Sequence, residues 1–239
     1  MHVYTGPMSD ARVAIVTGAG SGIGRATAVG LSNAGYSMVL AGRRRSALEE
    51  TGAMLSGNWQ SIGTDVSQPA DVADLIDATV GRLGRLDVLV NNAGTAPLLP
   101  IDKTDPETVQ RVFAVNAMGT ANAIARAWPV FKRQGSGCIV NVSTMGTEDP
   151  FPGFFAYAAS KAAVELMVKS CAKEGAMFNI RAFGVAPGAV ETDTLRAVFS
   201  EKAIPPGACL KPEQIASVIV ECVLGERDDM NGKTIYIGG

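Results

Sequence analysis

Val13-Ala-Ile-Val-Thr-Gly-Ala-Gly-Ser-Gly-Ile-Gly24 is the stretch that decides the fold. Val13 to Val16 is a short apolar run, the signature of a buried strand. A helical pattern follows over residues 23–33 and stops at Ala34-Gly35. Between them Gly18, Gly22 and Gly24 are spaced G-x-x-x-G-x-G. Glycines in a strand–turn–helix context allow a tight turn and let backbone approach a pyrophosphate. Ser21, Gly22, Ile23 and Gly24 then lie at a helix N-terminus, where N–H groups and a partial positive charge favour phosphate. Arg25 follows Gly24, so the G-K-[ST] ending of a nucleoside-triphosphate loop is missing, which argues against a kinase or an ATPase.

Outward from this turn the chain alternates strand and helix to its end. Strands are expected at 37–41, 60–63, 86–91, 138–143, 180–186 and 234–237, and helices at 46–55, 69–83, 157–175 and 212–224. The stretch Thr104-Asp-Pro-Glu107 reads as an N-cap with Pro106 in the first turn. Its helix is expected to reach Ala127, with Pro129 bending or ending it. The strands are apolar on both faces, as in a parallel sheet covered by helices. The expectation is an α/β protein: one doubly wound parallel sheet of about seven strands, in a single domain over residues 11–239. Residues 1–10 lack an apolar core for a signal peptide and read as a poorly ordered extension, with Met8 a second candidate start.

Composition excludes several functions. Formal net charge is −2 with no long charge run, which argues against a general nucleic-acid binder. No run of about 20 apolar residues offers a membrane span. Cys138, Cys171, Cys209 and Cys222 form no C-x-x-C pair and read as small buried hydrophobes in a reducing cytoplasm. The single histidine, His2, lies in the tail, so Ser-His-Asp and Cys-His hydrolases and His-ligated metal sites are excluded, and no metal is expected.

Tyr157 and Lys161 stand four residues apart, on one helix face. A free phenol has a pKa of about 10 and is a poor base at neutral pH. A nearby ammonium favours the phenolate and makes a usable acid/base. The second strand ends Leu40-Ala-Gly-Arg-Arg-Arg45. Gly42 occupies the place where a carboxylate would take an NAD ribose, and Arg43 offers a fork for a 2′-phosphate. NADP is therefore favoured over NAD, whereas Arg44 and Arg45 read as a solvated basic loop.

These motifs, in this order, resemble the short-chain dehydrogenase/reductase family from about Ala11 to the C-terminus. Asp65-Val66 resembles the pair that meets adenine. Asn91-Asn92-Ala93-Gly94 is similar to the family's N-N-A-G. Pro187-Gly188-Ala189-Val190-Glu191-Thr192 matches P-G-x-V-x-T at the nicotinamide end. The resemblance implies a Rossmann-type fold and hydride transfer between nicotinamide and a carbonyl or secondary alcohol. It implies Tyr157 as acid/base and Lys161 lowering the Tyr157 pKa while holding the nicotinamide ribose. Ser143, 14 residues before Tyr157, would bind the substrate oxygen, and Asn116 would fix a water linking Lys161 to solvent. It also implies a homo-oligomer, a tetramer or dimer, built on the helices near 107–127 and 157–175, with Ala121, Ala123, Ala125, Ala162 and Ala163 allowing close packing. Met145, Phe151, Phe154, Phe155, Leu195 and Phe199 lie on segments expected to line the substrate pocket and favour an apolar or bulky substrate.

The chain departs from the family in a short covering segment between Thr192 and Pro212 that contains Pro205-Pro206-Gly207. Phe183 also stands where the family often has Asn. Two other readings stay open. One is a catalytically silent NADP(H)-binding sensor or scaffold. The other is a 3-oxoacyl-carrier-protein reductase, which the uncharged Ala176-Met177-Phe178 disfavours.

Overall fold

In the computed structural model every strand runs parallel, in the order β3-β2-β1-β4-β5-β6-β7. The structure describes residues 11–238; the expected extension at 1–10 lies outside the described residues. The strands are β1 Val13–Thr17, β2 Ser37–Gly42, β3 Trp59–Gly63, β4 Val88–Asn91, β5 Gly137–Val142, β6 Ile180–Pro187 and β7 Thr234–Ile237. The helices are α1 Gly22–Asn33, α2 Arg45–Gly52, α3 Pro69–Leu83, α4 Pro106–Phe113, α5 Gly119–Gln134, α6 Phe155–Gly175, α7 Asp193–Arg196 and α8 Pro212–Leu224. From β1 the chain winds outward to β2 and β3, then crosses back to β4 on the other side of β1. That reversal opens a crevice at the carboxyl ends of β1 and β4, where doubly wound folds bind ligands.

Consecutive strand residues serve opposite cores, which is why the strands read apolar throughout. Val16, Leu40, Val90, Val140 and Phe183 pack on one face with Leu31 of α1 and Ile215 and Ile219 of α8. Ile15, Val39, Leu89, Ile139 and Ala182 pack on the other with Leu75, Ile76, Phe131 and Val168. Phe183 is fully buried and registers with Val140, so it fills core volume rather than meeting a ligand.

The helix expected over 106–127 is divided. Asp105 caps α4 by accepting from the Thr108 N–H at 2.7 Å, α4 stops at Phe113, and a π turn, Ala114–Met118, leads into α5. Pro129 neither ends nor replaces α5, which runs on to Gln134 and stops at Gly135 with φ 67°. Ala125, whose carbonyl Pro129 leaves without its helical donor, is exposed, so water can serve it. Ala123 belongs to the chain's own core and is not available for packing between copies.

Candidate active site

A cavity of about 680 Å³ fills the crevice between β1 and β4 and extends beneath α7. Gly18 and Gly22, with φ of +66° and +50°, turn the chain at its floor. A Cβ on Gly18 would lie 2.9 Å from Asn92 Nδ2, and one on Gly22 would lie 2.9 Å from Thr192 Cγ2. Those positions hold only glycine, and the space above them is left for backbone to approach a ligand. No side chain caps the first turn of α1, and Ser21, Gly22 and Ile23 border the cavity. Thr17 and Asn92 lock this floor. Thr17 Oγ1 accepts from the N–H groups of Asn92 and Ala93 at 3.0 and 3.1 Å. Asn92 Nδ2 donates to the Thr17 carbonyl at 2.9 Å. The cradle therefore fits a dinucleotide pyrophosphate.

Arg43 and Arg44, at the end of β2, border the same cavity, while Arg45 turns away and pairs with Glu49 at 2.9 Å. Asp65 is not the N-cap of α3; Gln68 takes that place. Its Oδ1 accepts from the Ser67 hydroxyl and N–H at 2.7 and 3.0 Å. The Ser67 hydroxyl holds the Asp65 carboxyl below its usual range, with the Arg43 guanidinium adding to the effect. Asp65, Val66, Asn92, Ala93, Gly94, Pro187, Gly188, Val190 and Thr192 all border the cavity. Gly24 does not border it: one residue past Ile23, it packs against Gly18 and Asn92 and serves the close contact of turn with helix.

Tyr157 and Lys161 project from the first turns of α6 into the far end of the cavity. Burial raises the Tyr157 phenol, and a hydrogen bond from the Thr144 hydroxyl lowers it again in part. Thr144 Oγ1 accepts the Gly146 N–H at 3.2 Å, which leaves its own proton free to be donated into the cavity. The expected pull of Lys161 on the Tyr157 pKa is not seen. The Lys161 ammonium donates to the Val142 carbonyl at 2.7 Å, and burial brings its own pKa down to about 8.

Ser143 is the position where sequence and geometry part. It borders the cavity, but its hydroxyl is committed to Glu165 Oε1 at 2.5 Å. Thr144, the next residue, borders the cavity with Tyr157, and its hydroxyl is the one that acts on the Tyr157 phenol. The Ser143 N–H still pairs with the Val185 carbonyl at 2.7 Å, so the ladder with β6 reaches one residue past β5 and fixes the backbone from which both hydroxyls face α6. Sequence reasoning missed Thr144; the available signal was a second hydroxyl residue directly after Ser143, facing the same helix.

Asn116 sits fully buried in the π turn and does not border the cavity. Its Oδ1 accepts from the Thr95 N–H at 2.8 Å, and its Nδ2 donates to the Thr95 carbonyl and Ser160 Oγ, both at 2.9 Å. It ties the segment after β4 to α6 and holds Gly94 near Lys161, where a Cβ on Gly94 would lie 3.5 Å from Nζ.

At the other wall Phe199 stands edge-on to Phe151 and Phe154, with ring centroids 5.3 and 6.0 Å away. Phe154 in turn lies 5.2 Å from the Tyr157 ring. Met145 and Leu195 complete this apolar wall. Phe155 does not belong to it: one residue further round α6, it turns outward and is 51% exposed. The covering segment is anchored by Arg196, which donates to Glu191 Oε1 at 2.6 Å and to the Ile204 carbonyl at 2.8 Å. Three cysteines, Cys138, Cys171 and Cys222, are buried with thiols pushed up to about 12, 11 and 12. Among the described residues no helix is long and apolar enough to cross a membrane.

The family profile described as short chain dehydrogenase matches residues 12–203. A short chain dehydrogenase/reductase of Aspergillus oryzae, astE, is 33% identical over 95% of this chain and 93% of its own. The 3-oxoacyl-[acyl-carrier-protein] reductase FabG of Thermotoga maritima is 34% identical over 96% of this chain and 97% of its own. Among solved structures, a 3-ketoacyl-(acyl-carrier-protein) reductase from Brucella melitensis complexed with NADH superposes with a TM-score of 0.90 at 29% identity, covering 95% of this chain and 97% of that one. Levodione reductase superposes at 0.89 with 27% identity, over 95% and 96%. With the glycine cradle, the Tyr157/Lys161 pair and these likenesses together, the chain is a member of the short-chain dehydrogenase/reductase family and an NAD(P)-dependent oxidoreductase.

Proposed function

We propose that this enzyme interconverts a bulky apolar ketone and its secondary alcohol, with NADP as the favoured cofactor and Tyr157 as the acid/base. The observation that carries the reading is the gathering of Tyr157, Lys161 and Thr144 around one cavity beneath the Phe151, Phe154 and Phe199 wall. When bound, the nicotinamide supplies or accepts the hydride. Tyr157 gives its proton to the substrate oxygen in reduction and takes it back in oxidation. Thr144, in place of Ser143, steadies the charge that develops on that oxygen. The Lys161 ammonium lies close enough to Gly94 and the Val142 carbonyl to hold a ribose and feed the proton path. Arg43, exposed at the cavity rim with no carboxylate on the adjoining Gly42, suits a 2′-phosphate.

The wall supports a ring-bearing or branched substrate, since aromatic faces and edges reward apolar area. A panel of aryl, alicyclic and acyl-thioester ketones, followed at the nicotinamide absorbance with NADPH and with NADH, tests the reading. Preference for acetoacetyl thioesters would favour the carrier-protein reductase instead. Tight NADPH binding with no turnover across the panel would favour the silent sensor. A homo-oligomer in a reducing cytoplasm belongs to the same proposal: Met118 and Leu166, at the end of the π turn before α5 and on α6, are 57% and 64% exposed.

A further inference from the structure

Glu165 lies one helical turn beyond Lys161 on α6 and takes no part in the chemistry proposed above. It does not border the cavity. Its Oε1 accepts from Ser143 Oγ at 2.5 Å and Thr147 Oγ1 at 2.8 Å, and its Oε2 accepts from the Tyr236 hydroxyl at 2.9 Å. These donors come from three separate places: the end of β5, the short 3₁₀ turn Met145–Thr147, and β7. Ser143 and Thr147 bracket Thr144 in sequence. Thr147 also reaches back to the Thr144 carbonyl, at 2.9 Å from its hydroxyl and 3.2 Å from its N–H. A hydroxyl has one proton, so Thr147 shares it between that carbonyl and Glu165. Hydrogen bonds to a carboxylate are shorter and stronger than neutral ones, so this one side chain fastens the loop on both sides of Thr144.

The geometry points to Glu165 as a positioning residue of this enzyme: by holding Ser143 and Thr147 against α6 and β7, it fixes the Thr144 hydroxyl at the cavity that Tyr157 borders. This inference rests on the roles given to Thr144 and Tyr157 under the proposed function. Electrostatics supports it from a second direction. Burial lowers the Lys161 pKa, and the Glu165 carboxylate raises it again. The other groups facing Lys161 carry no opposing charge. β5 presents the Val142 carbonyl, the segment after β4 presents Gly94, and the π turn presents the amide of Asn116. Around Glu165, β7 brings Tyr236, with Glu148 acting on Tyr236 from the loop.

The test compares wild type, Glu165→Gln, Glu165→Ala and Tyr157→Phe on the best-turned-over ketone of the panel with NADPH. The midpoint of Lys161 acetylation by trace acetic anhydride against pH is measured in parallel, without substrate. Glu165→Ala is expected to lower kcat about tenfold or more, since small misplacements near a reacting centre cost up to about a hundredfold, with KM and NADPH affinity little changed. Glu165→Gln keeps the size and one accepting oxygen, so it restores part of kcat. Its lost charge moves the Lys161 midpoint, and the alkaline limb of the activity profile, to lower pH. If Glu165→Ala does not fold, Glu165→Gln decides alone. A Glu165→Gln enzyme with unchanged kcat and an unchanged Lys161 midpoint overturns the inference while Tyr157→Phe stays inactive. An active Tyr157→Phe enzyme overturns the underlying reading instead.

Discussion

Exchanging the two adjacent hydroxyls separates the geometric reading from the sequence-based one. Thr144→Val replaces the hydroxyl by a methyl group of the same shape. It removes the donor to Tyr157 and the acceptor of the Gly146 N–H at 3.2 Å. Loss of one preorganised donor at a developing oxyanion costs about 10²–10³ in kcat, or roughly 2.7–4 kcal/mol. Ser143→Ala removes one of the bonds to Glu165 and leaves those from Thr147 and Tyr236 in place. A hydrogen bond to a charged group is worth about 1.5–3 kcal/mol of stability, so Ser143→Ala should lower the unfolding free energy by about that amount. Its kcat should stay within about tenfold of wild type, because Thr144 keeps its place on Tyr157. Thr144→Ser, which restores the donor, should recover most of the activity lost in Thr144→Val. The assay is kcat on a fixed ketone with saturating NADPH, beside urea unfolding of each variant. A Ser143→Ala loss equal to or larger than the Thr144→Val loss would refute the assignment.

Tyr157→Phe should abolish turnover while NADPH fluorescence still reports binding; near-normal rates would remove Tyr157 as the acid/base. Arg43→Asp should turn the preference from NADP toward NAD, read as the ratio of kcat/KM for the two cofactors, and an unchanged ratio takes Arg43 out of the argument. Gly18→Ala must place a Cβ 2.9 Å from Asn92 Nδ2 at a φ of +66°. It should cost about 1–3 kcal/mol of stability and weaken cofactor binding, both readable by thermal shift with and without NADPH. Lys161 has a folded pKa of about 8, below the 10.5 usual for a lysine. Between those values the unfolded chain binds more protons, so this group's cost to stability, fully present below about pH 8, is relieved as pH rises through the window. Lys161→Met should therefore be the more stable protein near neutral pH, with the difference shrinking toward about pH 10. A difference independent of pH in urea unfolding would contradict that assignment of the shift.

Much of the site was legible because its signals are local. The helix over 69–83 and the strand over 234–237 stand where their patterns place them, since strand and helix periods are properties of a short stretch. The glycine turn is legible for the same reason: Gly18 and Gly22 are required by backbone angles set within a few residues. Pro129 shows the limit of local rules. Its helix continues because the surface around it can satisfy the freed carbonyl, and exposure is not a local property.

What the sequence by itself determined is the parallel sheet, the cradle for a dinucleotide and the pairing of Tyr157 with Lys161 on one helix face. What only the tertiary structure decided is where each of the two neighbouring hydroxyls is held. Both Ser143 and Thr144 face α6, but Ser143 is drawn to Glu165 while Thr144 stays at the cavity that Tyr157, earlier on the same helix, also borders. The choice is made far along the chain: Glu165 on α6 takes the Ser143 hydroxyl, while Tyr236 on β7 donates to the other oxygen of that carboxylate. The same distance effect carries Phe199 onto Phe151 and Phe154, and turns Phe155, their neighbour in sequence, away.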